Sequence, residues 1–297
     1  TVTAYNDSNL THSFATAGQH TITIDGTFPS VRFHNNTVSR VLVDEVVDLG
    51  DVGWVNLYRA FRDCSNLTTF NLGTGNTSSV TNMSSMFYNC SSLTVLNVSS
   101  FDTSSATNIS QMFRGCSSLT TLDLSNFDTS SVTNMGLMFY FCSSLTTLNV
   151  SNFDTSSVTN MGLMFYFCSS LTTLNVSNFD TSSVTNMSSM FTNCTNLTNL
   201  DIKHFNVSSV TVGTGFLQNA NNALTTTAYD ELLEAWAAQD VQPNVPWHFG
   251  DAQYTNESIA DWAANANGKL SVIGNELALI NGAAEAANTT TLVTLEI

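Results

Sequence analysis

Six cysteines stand at Cys64, Cys90, Cys116, Cys142, Cys168 and Cys194, each 26 residues after the last (90 − 64 and so on). An aspartate recurs at the same interval at Asp102, Asp128, Asp154 and Asp180, with Asn206 in the next place. Rows of thiols suggest disulfides or a soft metal, and rows of carboxylates suggest calcium, whose ligands are oxygen. Neither row brings the companions its chemistry needs. No histidine recurs beside the cysteines. Thiols in register on adjacent coils, about 5 Å apart, aim their Cβ atoms the same way, which is poor disulfide geometry. The expectation is a ladder of free, buried thiols packed as small apolar groups. Calcium repeats supply several oxygens per site and a turn glycine, and neither is evident here. Each carboxylate is instead expected to close an Asx turn on the backbone N–H groups of the Thr-Ser that follows it.

Catalysis finds no constellation. His12, His20, His34, His204 and His248 are scattered and accompany no nucleophile motif. Acid–base work needs two carboxylates driven apart in pKa, whereas the recurring acids share one environment. The expectation is a protein that is not an enzyme, with no cofactor and no metal.

The interval itself is the architectural signal. Residues 117–142 and 143–168 differ only at Asp123/Asn149 and Leu124/Val150. A fixed period in this range marks a solenoid, in which each unit needs its neighbours to bury its apolar face. Within a unit Thr121 to Ser125 alternates, with Leu122 and Leu124 pointing one way, which reads as a short strand. Stacking makes these strands a parallel sheet. Leu119, Leu122, Leu124, Phe127, Val132, Met135, Met138 and Phe139 form the expected core. The spacing of the last four suits a short helix or 3-10 turn on the opposite wall. The fold class is therefore an α/β solenoid.

Residues 1–50 read as a β-rich N-terminal cap, with strands at Thr21–Ile24, Ser30–Phe33 and Arg40–Val43 and a turn at Asp25-Gly26. Residues 51–220 read as the solenoid. Its first coil opens near Trp54, and Gly75 stands where later coils place Phe101, Phe127, Phe153, Phe179 and Phe205. Residues 221–297 read as a mixed α/β C-terminal cap and possible assembly element. It should hold a helix at Tyr229–Gln239 capped by Thr227, an extended stretch at Val241–Trp247 and a second helix at Glu257–Ala266. A hairpin or strand at Lys269–Ile280, a short helix at Ala283–Ala287 and a strand at Leu292–Ile297 complete it.

Composition excludes several partners. Of 297 residues 10% are charged, the net charge is −16, and there are seven Lys and Arg. No basic face for nucleic acid can be assembled from so few cations, and the same sign disfavours anionic membranes. No apolar run approaches the roughly 18–20 residues needed to cross a bilayer.

The unit Leu-x-x-Leu-x-Val/Leu-x-x-Phe-Asp-Thr-Ser-x-Val-x-x-Met-x-x-Met-Phe-x-x-Cys resembles the repeat of BspA-like leucine-rich-repeat surface proteins. His12-Ser-Phe to Phe28-Pro29, Gly53-Trp54 and Ala60-Phe61 on one flank are similar to segments beside such arrays. So are Tyr229-Asp230, Trp236-Ala-Ala-Gln239 and Tyr254 on the other. The resemblance implies a right-handed leucine-rich-repeat coil outside a cell, serving as an adhesin or recognition scaffold for a host-surface glycan or protein. It brings no catalytic residues. The alternative class is a structural subunit of a virion fibre or other extracellular appendage, bound to copies of itself.

Two surfaces are candidates for contact. The sheet face carries Thr121 and Asp123, then Thr147 and Asn149, then Thr173 and Asn175. These columns suit sugar hydroxyls or ice, and equally suit any solvated strand face. The second surface lies where coils differ. Before each cysteine stand Tyr88-Asn89, Arg114-Gly115, Tyr140-Phe141, Tyr166-Phe167 and Thr192-Asn193, while Leu137 and Leu163 replace Ser85, Gln111 and Ser189. Leu137, Tyr140, Phe141, Leu163, Tyr166 and Phe167 should form an aromatic patch for a ligand or for assembly. Packing against a flanking turn, or simple duplication of one unit, would produce the same residues.

Overall fold

A backbone that returns to the same place every 26 residues can satisfy its N–H groups on its own next turn, and the protein is organised by that exchange. The computed structural model describes residues 30–33, 39–242, 245–253, 270–273 and 276–279; for the last two stretches the backbone alone is considered. Element order is α1 (Ser39–Leu42), β1 (Glu45–Val46), β2 (Thr69–Asn71), β3 (Val95–Asn97), β4 (Thr121–Leu122), β5 (Thr147–Leu148), α2 (Thr226–Ala237), β6 (Val245–His248), β7 (Leu270–Ile273) and β8 (Glu276–Leu279). Parallel strands pair coil to coil in the orders β1-β2-β3 and β4-β5, and the fold is a solenoid-like repeat.

The alternation read at Thr121–Ser125 is present, with Leu122 and Leu124 buried between exposed neighbours. The sheet is nonetheless shorter than the alternation suggests, because the third position of each strand ends it. Asp123, Asn149 and Asn175 accept the N–H of Ser125, Ser151 and Ser177 at 2.9–3.0 Å. That Asx turn takes the donor a longer ladder would need.

A second column continues further. Asn82, Asn108, Asn134, Asn160, Asn186 and Val212 form successive parallel bridges. Each of these asparagines accepts the N–H two residues on, at Ser84, Ser110, Gly136, Gly162 and Ser188. A Cβ at Gly136 would lie 2.9 Å from the Asn160 amide nitrogen, so glycine leaves room for the next asparagine.

The opposite wall is neither helix nor continuous 3-10 turn. Met138, Tyr140 and Cys142 donate to the carbonyls three residues back, which is 3-10 spacing. The residues between them, Met135, Leu137, Phe139 and Phe141, donate to the next coil at Asn160, Gly162, Met164 and Tyr166. Turning alternate N–H groups outward and inward requires left-handed backbone. Leu137 and Phe141 adopt φ of 58° and 61°, and the corresponding residues of every coil do likewise.

Between the walls lies one continuous core. Phe61, Phe87, Phe113, Phe139, Phe165 and Phe191 stack with centroids 5.5–6.0 Å apart and planes within 13°. The cysteines are free and buried, as expected, and have a role beyond filling space. Cys142 donates its thiol to the Phe113 carbonyl at 3.1 Å, and the other cysteines from Cys90 to Cys194 repeat this. Burial pushes the thiols of Cys64, Cys142 and Cys194 up to about 12. Thr77, Thr103, Thr129, Thr155 and Thr181, also buried, donate to the carbonyl of Asp102, Asp128, Asp154, Asp180 and Asn206 at 2.8–2.9 Å.

The ends depart from the sequence expectation in detail. Arg40–Val43 is not a strand: Ser39–Leu42 makes one helical turn, and the pairing strand is β1 just beyond it. Ser30–Phe33 is irregular, held by the Phe33 N–H on the Ala60 carbonyl and by stacking on Phe61. Helix α2 starts earlier than expected because Thr225, not Thr227, caps it by accepting from the Ala228 N–H. Its Leu232, Leu233 and Trp236 are buried as expected. Gln239 then closes the array by imitating a further coil, accepting from the Val207 N–H and donating to the Phe205 carbonyl. Strands β6, β8 and β7 form an antiparallel sheet, so the expected hairpin is present in the backbone. The elements expected at Thr21–Ile24, Asp25-Gly26, Glu257–Ala266, Ala283–Ala287 and Leu292–Ile297 lie outside the described residues.

Replacing Thr129 by valine keeps shape and removes one buried inter-coil hydrogen bond. Urea denaturation should show a loss of about 1–2 kcal/mol; no change would mean that the threonine column is not holding the coils. Native protein at pH 8 should leave its cysteines unlabelled by a maleimide. Denaturation without reductant should then release all six thiols, and recovery of fewer would reveal a disulfide.

Candidate functional site

The outer wall gathers the variable residues in two adjacent columns. Residues 62, 88, 114, 140 and 166 share one position of successive coils and read Arg62, Tyr88, Arg114, Tyr140, Tyr166. Arg62 lies 3.9 Å from the Tyr88 ring centre, and Arg114 lies between Tyr88 and Tyr140 at 4.9 and 4.4 Å. Tyr140 then stacks on Tyr166 at 4.8 Å with planes 6° apart. Cation–π contacts of this kind contribute roughly 0.5–2 kcal/mol each. The second column reads Asp63, Asn89, Gly115, Phe141, Phe167, Asn193. Phe141 and Phe167 stack at 4.4 Å and 4°, and Phe141 also meets Tyr140 at 5.2 Å.

The six residues expected to form the patch are therefore on one wall. Phe141 is exposed; Leu137, Tyr140, Leu163, Tyr166 and Phe167 are partly buried. The expected patch omitted Arg62, Tyr88 and Arg114. Their signal was present in the sequence, because they keep the 26-residue interval with Tyr140 and Tyr166.

The backbone under this patch is the wrong backbone for these side chains. Leu137, Phe141, Leu163 and Phe167 have φ between 57° and 61°. Left-handed backbone costs a bulky residue roughly 1–2 kcal/mol, and glycine or asparagine far less. In the Phe141 column the other coils obey that preference, with Asp63, Asn89, Gly115, Asn193 and Asn219. Two phenylalanines and two leucines outside the core thus occupy positions where the fold favours small or polar residues. Backbone strain of this kind is an observation from which a functional hypothesis can start.

The remaining candidates resolve into local structure. Asp102, Asp128, Asp154 and Asp180 each accept the N–H of the serine two residues on, at 2.9–3.0 Å, and Asn76 and Asn206 make the same turn. The Asx-turn expectation is met. Serine hydroxyl and N–H bonds hold the carboxyls of Asp102, Asp154 and Asp180 below the ordinary carboxylate range. Thr121, Asp123, Thr147, Asn149, Thr173 and Asn175 are exposed on the sheet face as expected, but the Asp123, Asn149 and Asn175 side chains are engaged by their own turns. Among the described residues no three His, Cys, Asp or Glu side chains converge as metal ligands. No helix among them is long and apolar enough to cross a membrane. A recess of about 200 Å³ between the last coil and α2 is lined by Asp201, Thr225 and the exposed Lys203–Glu231 ion pair.

Comparison with known proteins places the repeat. A family described as "Mycoplasma protein of unknown function, DUF285" matches residues 55–149 and 140–262. No curated protein matches the sequence. A solved structure described as the crystal structure of a TLR13–ssRNA13 complex is 17% identical over 61% of this chain and 29% of that one, with a TM-score of 0.29. The chain thus spans less than a third of that protein, and a score so low supports no conclusion.

Exchanging Phe141 and Phe167 for asparagine should raise stability by about 1–3 kcal/mol, because both αL positions would then hold a residue that tolerates them. A melting temperature that falls instead would show that the aromatic pair serves folding.

Proposed function

The chain belongs to the DUF285 family, and from that premise we propose that it is a non-enzymatic recognition protein displayed outside a cell or on a virion. Its outer wall binds a glycan or protein surface. The repeat motif supports the finer reading of a BspA-like, right-handed leucine-rich coil of the kind that serves adhesion. The observation that carries the proposal is the conflict at Leu137, Phe141, Leu163 and Phe167. These bulky side chains are kept on left-handed backbone and outside the core, where substitution by asparagine or glycine would favour the fold. Stacked aromatics beside arginines are also the composition of interface hot spots.

Rigidity supports the same reading. All eight backbone donors from Met135 to Cys142 are taken up within or between coils. The wall therefore presents side chains on a scaffold that has nothing further to order on binding, which lowers the entropic cost of association.

The test is binding of the purified chain to arrays of immobilised glycans and host-surface proteins, with Tyr140→Ser/Tyr166→Ser as the comparison. The double variant should keep its circular dichroism and lose at least about tenfold in binding, as removal of interface hot spots does. Unchanged binding would remove the outer wall from the function. Light scattering on the same samples should give a monomer. A defined oligomer dissociated by the double variant would favour the structural-subunit alternative, in which the patch joins copies of this chain.

A further inference from the structure

Arg114 differs from Arg40 and Arg62 in what it lacks. Arg40 and Arg62 share Asp63 at 3.4 and 3.5 Å. Arg114 makes no side-chain hydrogen bond or ion pair among the described residues, although its guanidinium carbon lies between the Tyr88 and Tyr140 rings. A guanidinium held between two rings and free of protein acceptors keeps its planar fork of N–H donors for a ligand, and that fork matches a carboxylate.

The surroundings add two further groups. Gly115 occupies the Phe141 column in the Arg114 coil and so sets no side chain of its own against Phe141. A Cβ at Gly115 would run into the carboxamide oxygen of Asn89, which lies over that glycine. The Asn89 amide nitrogen is already engaged, donating to Asp63 at 3.0 Å, and this fixes the oxygen as the free acceptor. A guanidinium fork, an exposed aromatic ring and an oriented hydrogen-bond acceptor thus lie on neighbouring columns of adjacent coils.

We propose that Arg114, Asn89 and Phe141 form a binding site for a carboxylated saccharide. Arg114 takes the carboxylate, Asn89 accepts from a sugar hydroxyl, and Phe141 receives the C–H face of the ring. The proposal rests on the recognition reading above and narrows its ligand. A peptide fits less well, since extended peptides gain their affinity from backbone hydrogen bonds at an open edge, and this wall's donors are already taken up. A polyanion fits less well still, because the chain carries a net charge of −16 and the site one unpaired cation. A sugar with a single carboxylate matches both counts.

The experiment is ligand-observed NMR titration of the full chain with methyl glucuronide and methyl glucoside, which differ only at the carboxylate, and with the peptide N-acetyl-glycyl-aspartate. The glucuronide should bind at least about tenfold more tightly than the glucoside, the scale of one charge-assisted bidentate pair. Arg114→Gln should abolish that difference, and Arg114→Lys should restore it only in part because the fork is lost. Equal binding of the two sugars overturns the proposal, and this comparison holds even if a variant does not fold. So does tighter binding of the peptide, or a preference that survives in folded Arg114→Gln. Failure here with array binding that still depends on Tyr140 and Tyr166 removes the carboxylate site and leaves the recognition reading standing. Failure of both removes the reading as well.

Discussion

Every residue of the array meets its own copy one coil away, at roughly the spacing of strands in a sheet, and that constraint selects the composition. Only side chains that stack favourably on themselves can fill a column. Phenylalanine does so in the core, with rings 5.5–6.0 Å apart. Threonine does so by donating to the next coil's carbonyl, and asparagine by closing a turn and bridging onward. Cysteine does so because its weak donor reaches a buried carbonyl that already accepts one bond. Ionised groups do not, and this accounts for a chain that is 10% charged.

Charge enters only where the constraint can be evaded, and the two signs evade it differently. The aspartates stand at the solvent-exposed edge, each carboxylate turned back on its own serine, so neighbouring charges are separately solvated. The outer-wall arginines alternate with tyrosine. Arg62 and Arg114 sit two coils apart with Tyr88 between them, about 10 Å by the strand spacing and near a Debye length at physiological salt. Repulsion between cations is thereby replaced by attraction to an aromatic face. The same arrangement leaves Arg114 between two rings and, among the described residues, without an anionic partner.

Repetition made the architecture legible in the sequence. The solenoid, its core residues, the free thiols and the Asx turns at Asp102 to Asp180 all follow from like meeting like at 26 residues. Three things did not follow. The sheet stops at Asp123 and its equivalents because a side chain captures the next backbone donor, a local competition that alternation does not reveal. The wall expected to be a short helix or 3-10 turn keeps 3-10 bonds at alternate residues and gives its other N–H groups to the next coil, and the spacing of Val132, Met135, Met138 and Phe139 is common to these arrangements. The ends lack a repeat to read, so helix α2 starts earlier than expected and a helical turn at Ser39–Leu42 stands where a strand was expected.

The patch shows how far sequence variation can be interpreted without its backbone. Departures from the repeat drew attention to Tyr140, Phe141, Tyr166 and Phe167, yet departure alone is equally the mark of a copied unit under no constraint. The backbone bears on that choice. A freely drifting exposed position at φ near +60° should move toward asparagine or glycine, as Asn89, Gly115 and Asn193 illustrate in the same column. Phe141 and Phe167 are held against that gradient, and in two adjacent coils, where their rings stack at 4.4 Å and their leucine neighbours are held against it too. A duplication explains why the second coil resembles the first; it leaves the cost of the left-handed backbone in both. The left-handed backbone disfavours these residues, and the proposed recognition surface gives them a role that the fold alone does not.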